Sequence, residues 1–167
     1  PWRYDEHHEE GAKRKDLRVE FDQARHEVRY LRKKGDQKEF EELKFEGGSA
    51  AGLISDRIQD PLSVIYYARL LDLSLGRKLM ITVHVDQKDW PTVIEVVDQE
   101  MIDTDAGKLD CWKIRSQYEY EGLFIAESEP LLWVEKESKI PVKIEVKIPV
   151  GSVKVVLKEW IKGDAPQ

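Results

Sequence analysis

Cysteine is nearly absent: Cys111 is the only one in 167 residues. That excludes an intramolecular disulfide and a cysteine-based zinc cluster. Long apolar runs are missing too, and none approaches the roughly 20 residues a membrane-spanning helix needs. The opening PWRYDEHHEE has no apolar signal segment, so an export signal has been removed or was never present. Basic residues do not predominate. The 27 Lys and Arg face 33 Asp and Glu, a formal net charge of −6, which argues against broad binding of a phosphate backbone. Motifs of chemistry are lacking as well: no HExxH, no spaced Cys/His set and no G-x-S-x-G elbow around Ser63, Ser74 or Ser152. What remains is 41% hydrophobic and 36% charged, too apolar for a disordered chain, and its length fits a single domain over residues 1–167.

A period of two runs through most of the chain. Leu17, Val19 and Phe21 alternate with Arg18, Glu20 and Asp22, and Val28 and Tyr30 continue that mode. Gly35 supplies a turn, and residues 39–45 return as a strand. Leu79, Ile81, Val83 and Val85 alternate with polar neighbours, as do Val142 to Ile148 and Val153 to Leu157. One face apolar and one polar is the mark of antiparallel sheet. Turns are expected at Lys88–Pro91, Asp105–Lys108 and Pro149–Ser152, and a phase slip at Val96-Val97 reads as a bulge.

One segment departs from this period. Asp60-Pro61 opens like a helix, with Asp as N-cap and Pro at the first helical position. Leu62, Ile65, Tyr66, Arg69, Leu70 and Leu73 keep helical spacing, while Val64, Tyr67, Ala68 and Leu71 fill the remaining circumference. The pattern predicts one buried helix over about residues 61–72. Upstream, residues 47–52 form a flexible glycine-rich loop. The expected fold is mainly β: an antiparallel barrel-like or strongly curved sheet of about nine or ten strands around that helix.

An ordered set of blocks runs from Asp60-Pro61-Leu62-Ser63 and Tyr66-Tyr67 through Gly76, Thr104–Cys111 and Gly122-Leu123-Phe124. It continues through Leu132-Trp133-Val134 and Ile140–Ile144 to Val150–Val153. As a set it resembles the bacterial domain-of-unknown-function family 3108, and Phe21-Asp22 with the opening Pro1–Gly11 hairpin fits that family's middle region. The resemblance implies an exported, periplasmic-type envelope protein with a barrel-like antiparallel sheet and no assigned enzymatic activity. Members carry further strands ahead of the part seen here, which implies a sheet lacking the family's N-terminal strands and an edge open for pairing. Many relatives have an Asp-containing turn where this chain reads Glu135-Lys136-Glu137-Ser138-Lys139, so a role for such an Asp does not carry over.

Candidate sites follow. His7, His8, Glu9 and Glu10 are metal-ligand types, but on a strand His7 and Glu9 point one way and His8 and Glu10 the other, so a solvated hairpin is expected and no metal site. His84, with Asp86 and Asp89 nearby, sits on the polar side of its strand and reads as a surface histidine. Cys111 alternates with Leu109 and reads as a small buried hydrophobe. The cationic stretch from Arg14 to Lys34 is interleaved with acids, as a solvated face is. No catalytic constellation and no cofactor motif emerges. Trp112 shares parity with Tyr118 and Tyr120, and Trp133 lies on a later strand. Tyr66, Tyr67 and Leu70 of the helix, with Trp112 and Trp133, are the expected wall of a site for an apolar or amphiphilic, lipid-like ligand. A saccharide ligand, or assembly as a homodimer through an open strand edge, is the alternative; neither nucleic acid nor membrane spanning is expected.

Overall fold

The structure, a computed structural model, describes residues 1–35, 37–45, 51–54, 57–117, 130–148 and 150–161. The chain forms two compact units: Pro1–Ser63 with Thr82–Trp90, and Val64–Ile81 with Pro91–Gln167.

In the first unit, β1 (Arg3–Glu10), β2 (Lys13–Asp22), β3 (Glu27–Lys34) and β4 (Glu41–Leu43) make an antiparallel sheet in chain order, with β5 (Gly52–Leu53) also paired to β3. Alternation decides its faces. Val19, Phe21, Val28 and Tyr30 are buried together with Ile54 and Ile58, and Tyr4, Leu17 and Leu43 pack around them. On the opposite face, register puts Asp5 beside Arg18, His7 beside Asp16 and Glu9 beside Arg14. Arg18 donates to Asp5 at 2.8 Å and Arg14 to Glu9 at 3.1 Å. The interleaved charges are thus a solvated ladder, and such exposed pairs contribute about 0–1 kcal/mol each.

In the second unit, β6 (Lys78–Val85), β7 (Lys88–Thr104), β8 (Gly107–Gln117), β9 (Leu131–Glu135), β10 (Pro141–Ile148) and β11 (Gly151–Val156) form an antiparallel meander in chain order. Thr82–Trp90, the tip of the β6–β7 hairpin, belongs to the first unit. One face of the sheet buries Ile81, Ile94, Val96, Ile114 and Val134 with Leu73. The other buries Cys111, Trp133, Ile140 and Val142. The register slips between Val96 and Asp98, the bulge expected from the phase change there.

The Asp60 side chain, itself buried, starts the helix as predicted. Its Oδ1 accepts from the N–H groups of Leu62 and Ser63, both at 2.8 Å, and its Oδ2 accepts from the Ser63 hydroxyl at 2.6 Å. A cap of this kind is worth about 1 kcal/mol.

Several expectations are corrected. Among the described residues the strands number eleven, in two antiparallel sheets of five and six strands, and neither sheet is closed into a barrel. The helix is short, α1 (Ser63–Tyr67) followed by one 3-10 turn (Ala68–Leu70), and Ala68 is its only buried residue. Val64, Tyr67 and Leu71 pack on the second-unit core, whereas Leu62, Tyr66 and Leu70 are exposed, because a rod this short meets a sheet along one stripe only. The turn expected at Lys88–Pro91 sits two residues earlier. Asp86 and Gln87 take left-handed φ of 48° and 65°, which closes a two-residue hairpin and leaves Lys88 to begin β7. Of the expected 47–52 loop, 47–50 lie outside the described residues, and Gly52 is paired in β5.

Candidate functional site

Strand register places the predicted wall residues in three settings. Tyr67 and Trp112 pack against the same second-unit core, joined there by Val64 and Leu132. Trp133 belongs to the cluster with Cys111, Ile140 and Val142. Tyr66 and Leu70 are 61% and 79% exposed and join neither cluster. Tyr118 and Tyr120 lie outside the described residues.

Neither indole is a bare stacking platform. The Lys136 ammonium lies 4.4 Å from the Trp112 ring centroid, while Lys143 and Lys113 lie 4.0 and 5.3 Å from that of Trp133. The Trp133 Nε1–H donates to Glu100 Oε2 at 2.9 Å, and Lys113 donates to Glu100 Oε1 at 2.6 Å. Lys113 holds the Glu100 carboxyl below the usual range against the opposing effect of burial, and the Trp133 hydrogen bond adds to it. Lys143 does the same for Glu145, 3.0 Å away. This face of the sheet is therefore an indole set in a charge lattice.

The opposite face is apolar across the sheet. Val96, Ile114, Leu132, Ile144 and Val155 are successive cross-strand partners, and Val146 pairs with Val153 one step along. Burial falls along that row. Val96 and Ile114 are buried, Leu132, Ile144 and Val146 are half-buried, and Val153 and Val155 are 50% and 57% exposed. The alternation was legible in the sequence; what covers it was not. Val64, Tyr67 and Leu71 pack on the buried end, and the β10–β11 end opens to solvent.

His84 corrects the surface reading. It is 3% exposed in the first unit, its ring 5.9 Å from Phe21 and 5.7 Å from Tyr30. Its Nδ1–H donates to Asp89 Oδ1 at 2.6 Å, and Nε2 is buried with no partner among the described residues. Burial pushes the imidazole pKa down against the opposing pull of Asp89. Around it, the backbone of Gln59 bridges Thr82 and His84, and the Gln87 N–H donates to the Tyr30 hydroxyl at 3.0 Å. The polar side of β6 is covered here because the hairpin tip packs within the first unit.

Cys111 is buried as expected, its thiol pushed up to about 11 by burial first and then by the nearby Glu135 and Asp110 carboxylates. It is not the nucleophilic kind. His7 binds Asp16, and no group of three metal-ligand side chains converges among the described residues. A first-unit groove of about 600 Å³ is lined by Trp2 and Phe21 together with Glu20, Asp22, Gln23 and Arg29, a wall that is part apolar and part charged.

Comparison with known families finds one model, described as a protein of unknown function (DUF3108), that matches residues 1–158. The chain belongs to the DUF3108 family. No curated protein and no solved structure matches this DUF3108 chain. None of its helices is long and apolar enough to cross a membrane, among the described residues.

Proposed function

We propose that this DUF3108 protein is a non-enzymatic, exported protein of the bacterial envelope that binds or carries an apolar or amphiphilic ligand on the open β10–β11 end of its second sheet. One observation carries the reading: the apolar row from Ile114 through Leu132 and Ile144 to Val155 runs out of the core into solvent. Contiguous exposed apolar surface of this kind marks interaction sites, and covering a valine side chain is worth about 1.5 kcal/mol or more. The charged lattice on the other face supports an amphipathic scaffold that presents one greasy side. Val153→Asp with Val155→Asp should weaken binding of an apolar fluorescent probe such as cis-parinaric acid by at least about tenfold. Both positions are exposed, so the variant should keep its circular dichroism and melting temperature. Unchanged probe binding in the folded variant would remove this reading.

A second reading, self-assembly through the β11 edge, is favoured by hydrogen-bond parity. Leu157 N–H donates to Val142 O at 2.8 Å, so the pairs of Val155 and Val153 with β10 are hydrogen-bonded ones. Ser152, Lys154 and Val156 then turn their N–H groups outward, where no strand pairs with β11 among the described residues. Lys154→Pro deletes one outward donor without touching the β10 ladder. Sedimentation velocity at rising concentration should show a dimer that this variant abolishes; a wild-type chain that stays monomeric ends the assembly reading.

A further inference from the structure

We infer that Lys15, Arg32 and Lys34 form a binding site for a phosphate-type oxyanion at the far end of the first sheet. Lys15 and Lys34 are direct cross-strand partners on β2 and β3, and Arg32, opposite Leu17, lies on the same face two residues from Lys34. The Gly35 N–H donates to Arg14 O at 3.0 Å, so the neighbouring Arg14–Gly35 pair is hydrogen-bonded and Lys15–Lys34 is the non-hydrogen-bonded kind. That is the closest cross-strand spacing, about 4.5–5.5 Å between Cβ atoms, and like charges held there repel.

Elsewhere on this sheet the spacing is used for opposite charges, as in Asp5–Arg18 and Glu9–Arg14. Here, among the described residues, no carboxylate is ion-paired with any of the three cations. The described carboxylates on the same face are engaged by other groups: Glu41, opposite Arg32, accepts from Gln37 at 2.7 Å, Glu6, opposite Leu17, accepts from the Tyr4 hydroxyl at 3.5 Å, and Glu10 lies 3.8 Å from His8, the partner of Lys15 on β1. The Arg32 Nε is moreover buried with no hydrogen-bond partner among the described residues. A buried, charged N–H without an acceptor is costly, and an oxyanion supplies the acceptor while neutralising the lysine pair. Guanidinium for directed donors and two ammonium groups for charge are the chemistry that holds phosphate. A monoester, a lipid headgroup and inorganic phosphate all present it. The site uses none of the second-unit residues of the apolar row.

The test is binding of inorganic phosphate, and of phosphatidic acid vesicles against phosphatidylcholine vesicles, by the full chain at low ionic strength. Wild type should gain melting temperature with phosphate or co-sediment with phosphatidic acid vesicles alone. Arg32→Gln and Lys34→Gln should each weaken that response by at least about tenfold. Lys34 is exposed, so its variant keeps the test sound if Arg32→Gln folds poorly. Arg29→Gln with Lys33→Gln, on the opposite face, should leave binding unchanged. A response to free phosphate identifies the anion itself as ligand; a response to vesicles without one identifies the lipid headgroup. No response to either, or equal loss in the opposite-face variant, overturns the site.

Discussion

Trp133→Ala should lower the unfolding free energy of the second unit by about 3–5 kcal/mol. The indole is 2% exposed, packs with Cys111, Ile140 and Val142, and uses its Nε1–H on Glu100 at 2.9 Å. Truncation removes the largest fully buried side chain and leaves a cavity that a sheet cannot close, since strand spacing is set by the ladder. It also strips one donor from Glu100, whose remaining partner is Lys113. Against a typical total of about 5–15 kcal/mol this is a large fraction. Trp133→Phe should cost less, because the ring volume is mostly kept and only the hydrogen bond goes. Urea unfolding followed by far-ultraviolet circular dichroism reads both. A loss below about 1 kcal/mol for the alanine variant would mean that this side of the sheet is not a packed core.

The second large effect is on acid stability, through His84. An unfolded-chain histidine titrates near 6.5, and burial holds the folded imidazole lower. The unfolded state therefore takes up the proton first. Stability is complete above about pH 7, and it is lost as pH falls through 6.5 toward the folded value, by at most about 1.4 kcal/mol per pH unit for one proton. Geometry supplies the reason. Protonation would place an N–H on Nε2 where Phe21 and Tyr30 enclose the ring and no acceptor is present among the described residues. Asp89 at Nδ1 opposes the loss without removing it. His84→Asn keeps an amide donor for Asp89 but cannot titrate in this range. It should be less stable at neutral pH through lost packing, and the decline between about pH 7 and 5 should disappear, since His7, whose pKa Asp16 raises, only adds stability as pH falls there. Carboxylates held low by their partners, such as Glu95 and Glu100, enter only at lower pH. The same slope in His84→Asn as in wild type would show that the histidine is not the group that titrates.

Sequence alone determined the local elements, because their causes are local. Alternation of Leu17, Val19 and Phe21 sets which face of β2 is apolar, Asp60 caps because its carboxylate reaches its own following amides, and the slip at Val96-Val97 is one residue too many for a period of two. Antiparallel class and the buried Cys111 follow from the same short-range rules. Tertiary structure alone decided what covers each face. Whether a strand's polar side meets water or another layer depends on residues far away in the chain: Thr82–Trp90 packs within the first unit, so His84, on the polar side of its strand, is buried against Phe21 and Tyr30. The same holds for the helix, whose apolar residues all round the rod imply burial on every side until the sheet proves to touch one stripe. It holds for the valines of β11, indistinguishable by pattern from core strand residues and yet left in solvent, because pairing and cover are properties of neighbours rather than of the strand itself.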